Sequence, residues 1–296
     1  MMKVKKAVIP AAGFGTRFLP ATKAIPKEML PIVDTPTLQY VVEEAVNSGI
    51  TEILIILGKN KKCIEDHFDF SVELEQILIK GKKYEEIKKM HDIANLAQIF
   101  YVRQKEMKGS ADAVMQAKAF VGNEPFAVLF GDDIVYNPTN PCLKQLINAY
   151  DTTGKTILGC QNVTKENATK YGIVIPGQTK GRYTELLGIK EKPTLKELPS
   201  TLASMGRYVF NADIFDFIEK LKAHDNGEFY LTDAIENIAK SAGVFAYDFE
   251  GRRYDVGDKQ GYLEATIEYA LRDKSLNSDL KDYLKNLGAN FDNFTK

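Results

Sequence analysis

The chain has 296 residues, enough for one large domain or two of average size. Its 39 Lys and Arg nearly balance 40 Asp and Glu, leaving a net charge of -1; nucleic-acid binding through bulk charge would need a clear basic excess. A hydrophobic content of 44% with 27% charged residues suits a globular protein with a full core, and no apolar run approaches the roughly 18 residues of a membrane span.

Residues 4–9 read as a buried first strand and not as a signal peptide, because Pro10 and Gly13 break the apolar stretch. Leu38, Val41, Val42, Ala45 and Val46 recur at the spacing of one helix face. Residues 53–57 form a continuous apolar run, as in a strand covered on both sides. Residues 60–95 read as helical and peripheral, their Lys/Glu cluster at 80–89 being a solvated face. Residues 99–102 and 126–130 are strands, and Ala111, Val114, Met115 and Ala119 mark a helix face between them.

This rhythm predicts an α/β, Rossmann-like architecture, with a mostly parallel central sheet flanked by helices and joined by right-handed crossovers. The second half is mixed, with short strands at 156–161, 172–176, 183–189, 204–210 and 244–249, and helices at 211–222, 231–240 and 259–272. Leu280, Tyr283, Leu284 and Leu287 define a last amphipathic helix stopped by Gly288, a face that can dock on its own chain or on a neighbour, the latter giving a homo-oligomer (dimer or tetramer). Cys63, Cys142 and Cys160 are too few and too dispersed for a disulfide framework, and read as reduced thiols of a cytoplasmic protein. His67, His91 and His224 are not paired at metal-ligand spacing, which disfavours zinc chemistry and a Ser-His-Asp triad.

Ligands of open parallel sheets bind beyond the carboxyl ends of the strands. That rule selects three segments: 10–31, 103–110 and 131–136. The first carries Gly13, Gly15 and the cations Arg17, Lys23 and Lys27, with Pro20, Pro26 and Pro31 stiffening the loop. Glycines let backbone N–H groups approach phosphate oxygens. Phe18 stands where a dinucleotide fingerprint needs its third glycine, and a Walker A loop is absent. The third segment places Asp132 and Asp133 directly after an apolar strand, an acidic pair able to anchor Mg²⁺, which takes one or two carboxylates and completes its shell with water and phosphate oxygens. Alone, such a pair is more often a turn cap; opposite a basic glycine loop, the metal site is the better reading. Asp255 is a second carboxylate candidate, ahead of a helix with Asp258 as N-cap. Gly172 permits close approach of a cyclic ligand, and Glu191-Lys192 offers a hydroxyl acceptor beside a cation, the combination that a sugar phosphate needs.

Taken in order, GFGTRFLPATKAIPKEMLP, VRQKEMKG, GDD, KYGIV, EKP and YDVGDKQGY resemble the bacterial UTP–glucose-1-phosphate uridylyltransferases, within the sugar-nucleotide pyrophosphorylases, over residues 3–275. The resemblance implies a nucleotidyltransferase domain over 1–275, with a nucleotide-binding part near 1–140 and a sugar-phosphate-binding part near 155–260, followed by a C-terminal helix and tail at 276–296. It implies that Ala11, Ala12 and Gly13 line the nucleotide, with Arg17 and Lys27 on its phosphates and Glu28 near the nucleoside. Gln104 and Gly109 would read the uracil, and Asp132 with Asp255 would hold Mg²⁺. Gly172 and Glu191 would meet the glucose hydroxyls, and Lys192 the sugar phosphate. UTP and glucose 1-phosphate would be the substrates.

One stretch departs from the pattern. Where that family often continues Lys-Gly-Leu-Gly-His-Ala, this chain has Lys108-Gly109-Ser110-Ala111-Asp112-Ala113, which resembles the glucose-1-phosphate adenylyltransferases. Thymidylyl or adenylyl transfer therefore stands as an alternative, and Asp112 adds a charge to which the resemblance gives no role. A silent nucleotide-sugar-binding subunit ranks lower, because Arg17, Asp132 and Lys192 are all kept. A nicotinamide-dependent oxidoreductase is disfavoured by Phe18 and by the cations of the loop.

Overall fold

Residues 2–290 are described by the structure, a computed structural model. Thirteen strands occur among them: β1 (Lys6–Ala11), β2 (Pro31–Ile32), β3 (Thr35–Pro36), β4 (Glu52–Leu57), β5 (Gln98–Arg103), β6 (Phe126–Leu129), β7 (Asp133–Tyr136), β8 (Thr156–Asn162), β9 (Gly172–Lys180), β10 (Tyr183–Glu191), β11 (Leu202–Phe210), β12 (Val244–Asp248) and β13 (Arg252–Asp255). Nine of them form one sheet in the order β5-β4-β1-β6-β11-β8-β12-β10-β9. β7 and β13 make a separate antiparallel ribbon, and β2 and β3 a smaller one.

The first half is parallel, as its β-α rhythm predicts: β1 lies between β4 and β6, and β5 adds to β4 at the edge. Successive residues of β1 face opposite layers, as strand geometry requires. Ala7, Ile9 and Ala11 pack with Leu38, Val41 and Val42 of the helix Thr37–Asn47, while Val8 packs on the other side with Ala111, Val114, Leu54 and Ile56. Burying both faces is what makes the run Glu52–Leu57 almost continuously apolar.

β11 enters from the second half and runs antiparallel between β6 and β8, so both halves share one mixed sheet. This strand sets the site, because it puts the 204–207 segment directly beside the loop that follows β6.

Three local expectations change. The helix placed at 211–222 contracts to Ile214–Ile218, and the face marked at 111–119 divides between the short helices Ser110–Met115 and Lys118–Val121. Gly288 does not stop the last helix, which runs through it over Asn277–Ala289. An exposed helix tolerates an interior glycine at about 1 kcal/mol. The tail at 291–296 lies outside the described residues. Residues 60–95 are three helices, and Val72–Lys80 and Tyr84–Ala94 bury none of their residues, in keeping with a peripheral position. No helix among the described residues is long and apolar enough to cross a membrane.

Candidate active site

The loop after β1 is folded by close approaches that only small residues permit. Gly15 has φ 66°, in the left-handed region, and its carbonyl accepts a 2.7 Å hydrogen bond from Thr22 Oγ1. A Cβ on Gly15 would stand 2.9 Å from Lys27 Cβ, so the turn can seat Lys27 against it. Gly58, after β4, packs on the same loop from beneath: a Cβ there would lie 2.4 Å from the Ala12 carbonyl oxygen.

Lys27 Nζ donates to Asp132 Oδ2 at 2.5 Å. Burial would lower the Lys27 pKa, but the charges of Asp132 and Glu28 outweigh it and raise it. Burial would likewise raise the Asp132 carboxyl, and the Lys27 ammonium outweighs it and holds that carboxyl below its usual value. Arg17 reaches the same point from the other side, donating to the Gly257 carbonyl at 3.3 Å. A Cβ on Gly257 would stand 2.7 Å from Asp132 Oδ2 and 3.3 Å from Asp255 Oδ1, so both carboxylates converge on this glycine. Asp255 is further fixed by the Tyr171 hydroxyl, which donates to its Oδ2 at 2.7 Å. Asp258 caps the following helix by accepting from Gln260 N at 3.0 Å, as expected from its position.

The two acidic residues have different partners. Asp132 takes the Lys27 ammonium, whereas Asp133, which also borders the cleft, begins β7 and is held by Arg253, whose Nε donates to its Oδ1 at 2.6 Å. Burial pushes Asp133 up to about 6, against the pull of Arg253. The turn between them rests on Arg207 of β11, a fully buried guanidinium that donates to the carbonyls of Phe130 (3.3 Å) and Asp133 (2.6 Å) and to both oxygens of Glu44.

Two further residues lie at the base of the site. Ala11 belongs to the core layer under the helix Thr37–Asn47, and its methyl does not line the cleft. Glu28 borders the cleft floor, and both of its carboxylate oxygens accept from Lys61 Nζ, at 2.9 and 2.8 Å, in a buried ion pair.

On the far wall Gly172 and Glu191 are register partners of the β9–β10 pair, and a Cβ on Gly172 would come 3.0 Å from Thr232 Cγ2. Lys192 follows with φ 42°, a strained backbone for a residue with a Cβ, held by its N–H donating to the Tyr171 carbonyl at 3.0 Å. Thr232 Oγ1 is buried there without a hydrogen-bond partner. One cleft of about 510 Å³ joins the two walls. It collects Ala12, Gly13, Arg17, Lys27, Gln104, Gly109 and Asp132 from one side, and Gly172, Glu191, Lys192 and Asp255 from the other. Sequence reasoning missed Lys61, Arg207, Arg253 and Thr232; of these only Arg253 adjoins a motif that it singled out.

A family model described as nucleotidyl transferase matches residues 6–271. The chain belongs to the nucleotidyl transferase family. Among curated nucleotidyl transferases, UTP–glucose-1-phosphate uridylyltransferase 2 of Staphylococcus saprophyticus is 53% identical over 98% of this chain and 100% of its own length. The UTP–glucose-1-phosphate uridylyltransferase of Staphylococcus epidermidis is 52% identical, over 97% of this chain and 99% of its own. A crystal structure of UDP-glucose pyrophosphorylase complexed with UDP-glucose superposes with a TM-score of 0.84 at 40% identity, covering 91% of this chain and all of that one. The UDP-glucose pyrophosphorylase of Acinetobacter baumannii gives 0.87 at 36%, covering 96% and 99%.

Proposed function

We propose that this nucleotidyl transferase makes UDP-glucose and pyrophosphate from UTP and glucose 1-phosphate. The observation that carries the reading is the single cleft in which Gln104, Arg17, Lys27 and Asp132 face Glu191 and Lys192, and the relatives named above support it. The nucleotide is assigned to the 1–140 part and the sugar phosphate to the 155–260 part.

In this reading a phosphate oxygen of glucose 1-phosphate attacks the α-phosphorus in line. The new O–P bond forms as the bond to the β-phosphate bridging oxygen breaks, and pyrophosphate leaves with that electron pair. A phosphate monoester has its second pKa near 6, so the nucleophile is largely ionised at neutral pH and needs no general base. Among the described residues lining the cleft there is no histidine. The barrier is repulsion between anions, and catalysis rests on positioning and charge neutralisation. Arg17 and Lys27 neutralise the triphosphate, Lys192 orients the incoming phosphate, and Glu191 and Thr232 take the sugar hydroxyls.

Asp132 and Asp255 suit Mg²⁺, since two hard carboxylates converge on one point and the Lys27 ammonium already sits on one of them. When bound there, the ion would supply charge neutralisation to the phosphates, and Lys27 would pass from Asp132 to a phosphate oxygen. A cytoplasmic setting and a homo-oligomer complete the proposal, supported respectively by three free cysteines and by exposed Leu263, Ile267, Leu276 and Tyr283 near the C-terminus.

The test is pyrophosphate release by purified protein with Mg²⁺, glucose 1-phosphate and each nucleoside triphosphate in turn. UTP is expected to be turned over best; preference for another triphosphate, or no release at all, overturns the reading.

A further inference from the structure

Gln104 directly follows β5, its backbone N–H tied to the Leu57 carbonyl at 3.0 Å, and its side chain is buried at the edge of the cleft. A glutamine amide has two hydrogens and one carbonyl oxygen. Here Nε2 donates to Asp112 Oδ2 at 2.6 Å and to the Gly109 carbonyl at 3.3 Å, so both hydrogens are spent inside the protein. What remains for a ligand is Oε1. The reversed amide would set that oxygen against an ionised carboxylate and a carbonyl, three acceptors with no hydrogen between them.

The frame around this contact is stiff. Gly109 has φ 94°, and a Cβ on it would lie 2.5 Å from the Phe229 carbonyl oxygen. The 228–231 strap is bonded to the loop by Phe229 N to Lys108 O (2.8 Å), Ala111 N to Phe229 O (3.0 Å) and Leu231 N to Ser110 Oγ (3.0 Å). Asp112 itself lies in the first turn of the helix Ser110–Met115, where a negative charge is favoured by the unpaired N–H groups.

We infer that Asp112 is a positioning residue for base selection: it locks the Gln104 amide so that the cleft meets an acceptor alone, matched to the N3–H of a uracil ring and mismatched to the bare N3 of cytosine. This rests on the uridylyl reading above and adds the residue that enforces it. It also gives a role to the charge at position 112, which the family resemblance left without one. Thymine presents the same N3–H, so the device separates uracil from cytosine and not from thymine.

The experiment compares wild type with Asp112→Asn, which fills the same space but offers Gln104 either a donor or an acceptor, so that both amide orientations become possible. Calorimetric binding of UTP and of CTP, without sugar phosphate, is measured beside steady-state kinetics. The expected result is a fall of roughly tenfold or more in the UTP-over-CTP affinity ratio, and a matching fall in the ratio of kcat/KM. The KM for glucose 1-phosphate should stay within about twofold of wild type. An unchanged ratio, or equal losses with UTP and CTP, overturns the inference. If wild-type protein binds UTP over CTP but releases no pyrophosphate, the functional reading fails while the binding ratio still decides the role of Asp112.

Discussion

Arg207 is the residue on which the turn carrying Asp132 rests, and removing it should separate stability from activity. Its side chain is fully buried and its partner Glu44 is buried beside it, with the guanidinium bonded to both carboxylate oxygens and to the carbonyls of Phe130, Gly206 and Asp133. Arg207→Met strands a buried carboxylate and leaves three carbonyls without this donor. Breaking such a pair from one side costs about 3–5 kcal/mol, which for a chain of this size lowers Tm by roughly 5–8 °C. Replacing both partners (Arg207→Met with Glu44→Leu) removes the stranded charge and should recover most of that loss. It should not recover activity, because the turn carrying Asp132 is still without its anchor; kcat/KM is expected to remain about 10²-fold down. Calorimetric melting and steady-state pyrophosphate release on the two variants provide the assay. A single variant melting within about 1 kcal/mol of wild type, or a double variant with full activity, would refute the reasoning.

Gly257→Ala sets a methyl between the Asp132 and Asp255 carboxylates, where 2.7 and 3.3 Å leave no room; a metal titration should show a raised Mg²⁺ requirement. Gly58→Ala drives a methyl to within 2.4 Å of the Ala12 carbonyl oxygen and displaces the loop after β1, so the KM for UTP should rise roughly tenfold, more than that for glucose 1-phosphate. Thr232→Val deletes a buried hydroxyl that has no partner within the protein; the KM for glucose 1-phosphate should rise about 3–10-fold without loss of stability in a thermal melt.

The cleft was legible because its parts follow chemical rules that act over short stretches. An apolar strand, then glycines and cations, then a second strand ending in Asp132, together announce an anion site at the carboxyl edge of a sheet. The supports beneath it were not legible, because they join residues far apart in the chain. Arg207 meets Glu44 across 163 positions and Asp133 across 74, and Arg253 meets Asp133 across 120. Nothing near any of these residues distinguishes a buried partner from a solvated charge. Asp132 and Asp133 show the same limit: composition alone does not tell the two apart, and the pairing of β7 with β13 is what ties Asp133 to Arg253. Strand alternation turns the Ala11 side chain into the core, and the buried Lys61 fixes Glu28, neither of which a local motif reveals. The insertion of β11 between β6 and β8 is likewise a long-range pairing, invisible to local patterning.

Lys192 tests most directly whether cations from two walls overcome the repulsion between two phosphate compounds. It stands on a strained backbone, across the cleft from Arg17 and Lys27. Steady-state kinetics of Lys192→Ala should show kcat/KM for glucose 1-phosphate reduced by about 10²–10³-fold, with the KM for UTP little changed. Wild-type values of both kcat and the KM for glucose 1-phosphate in that variant would contradict the account.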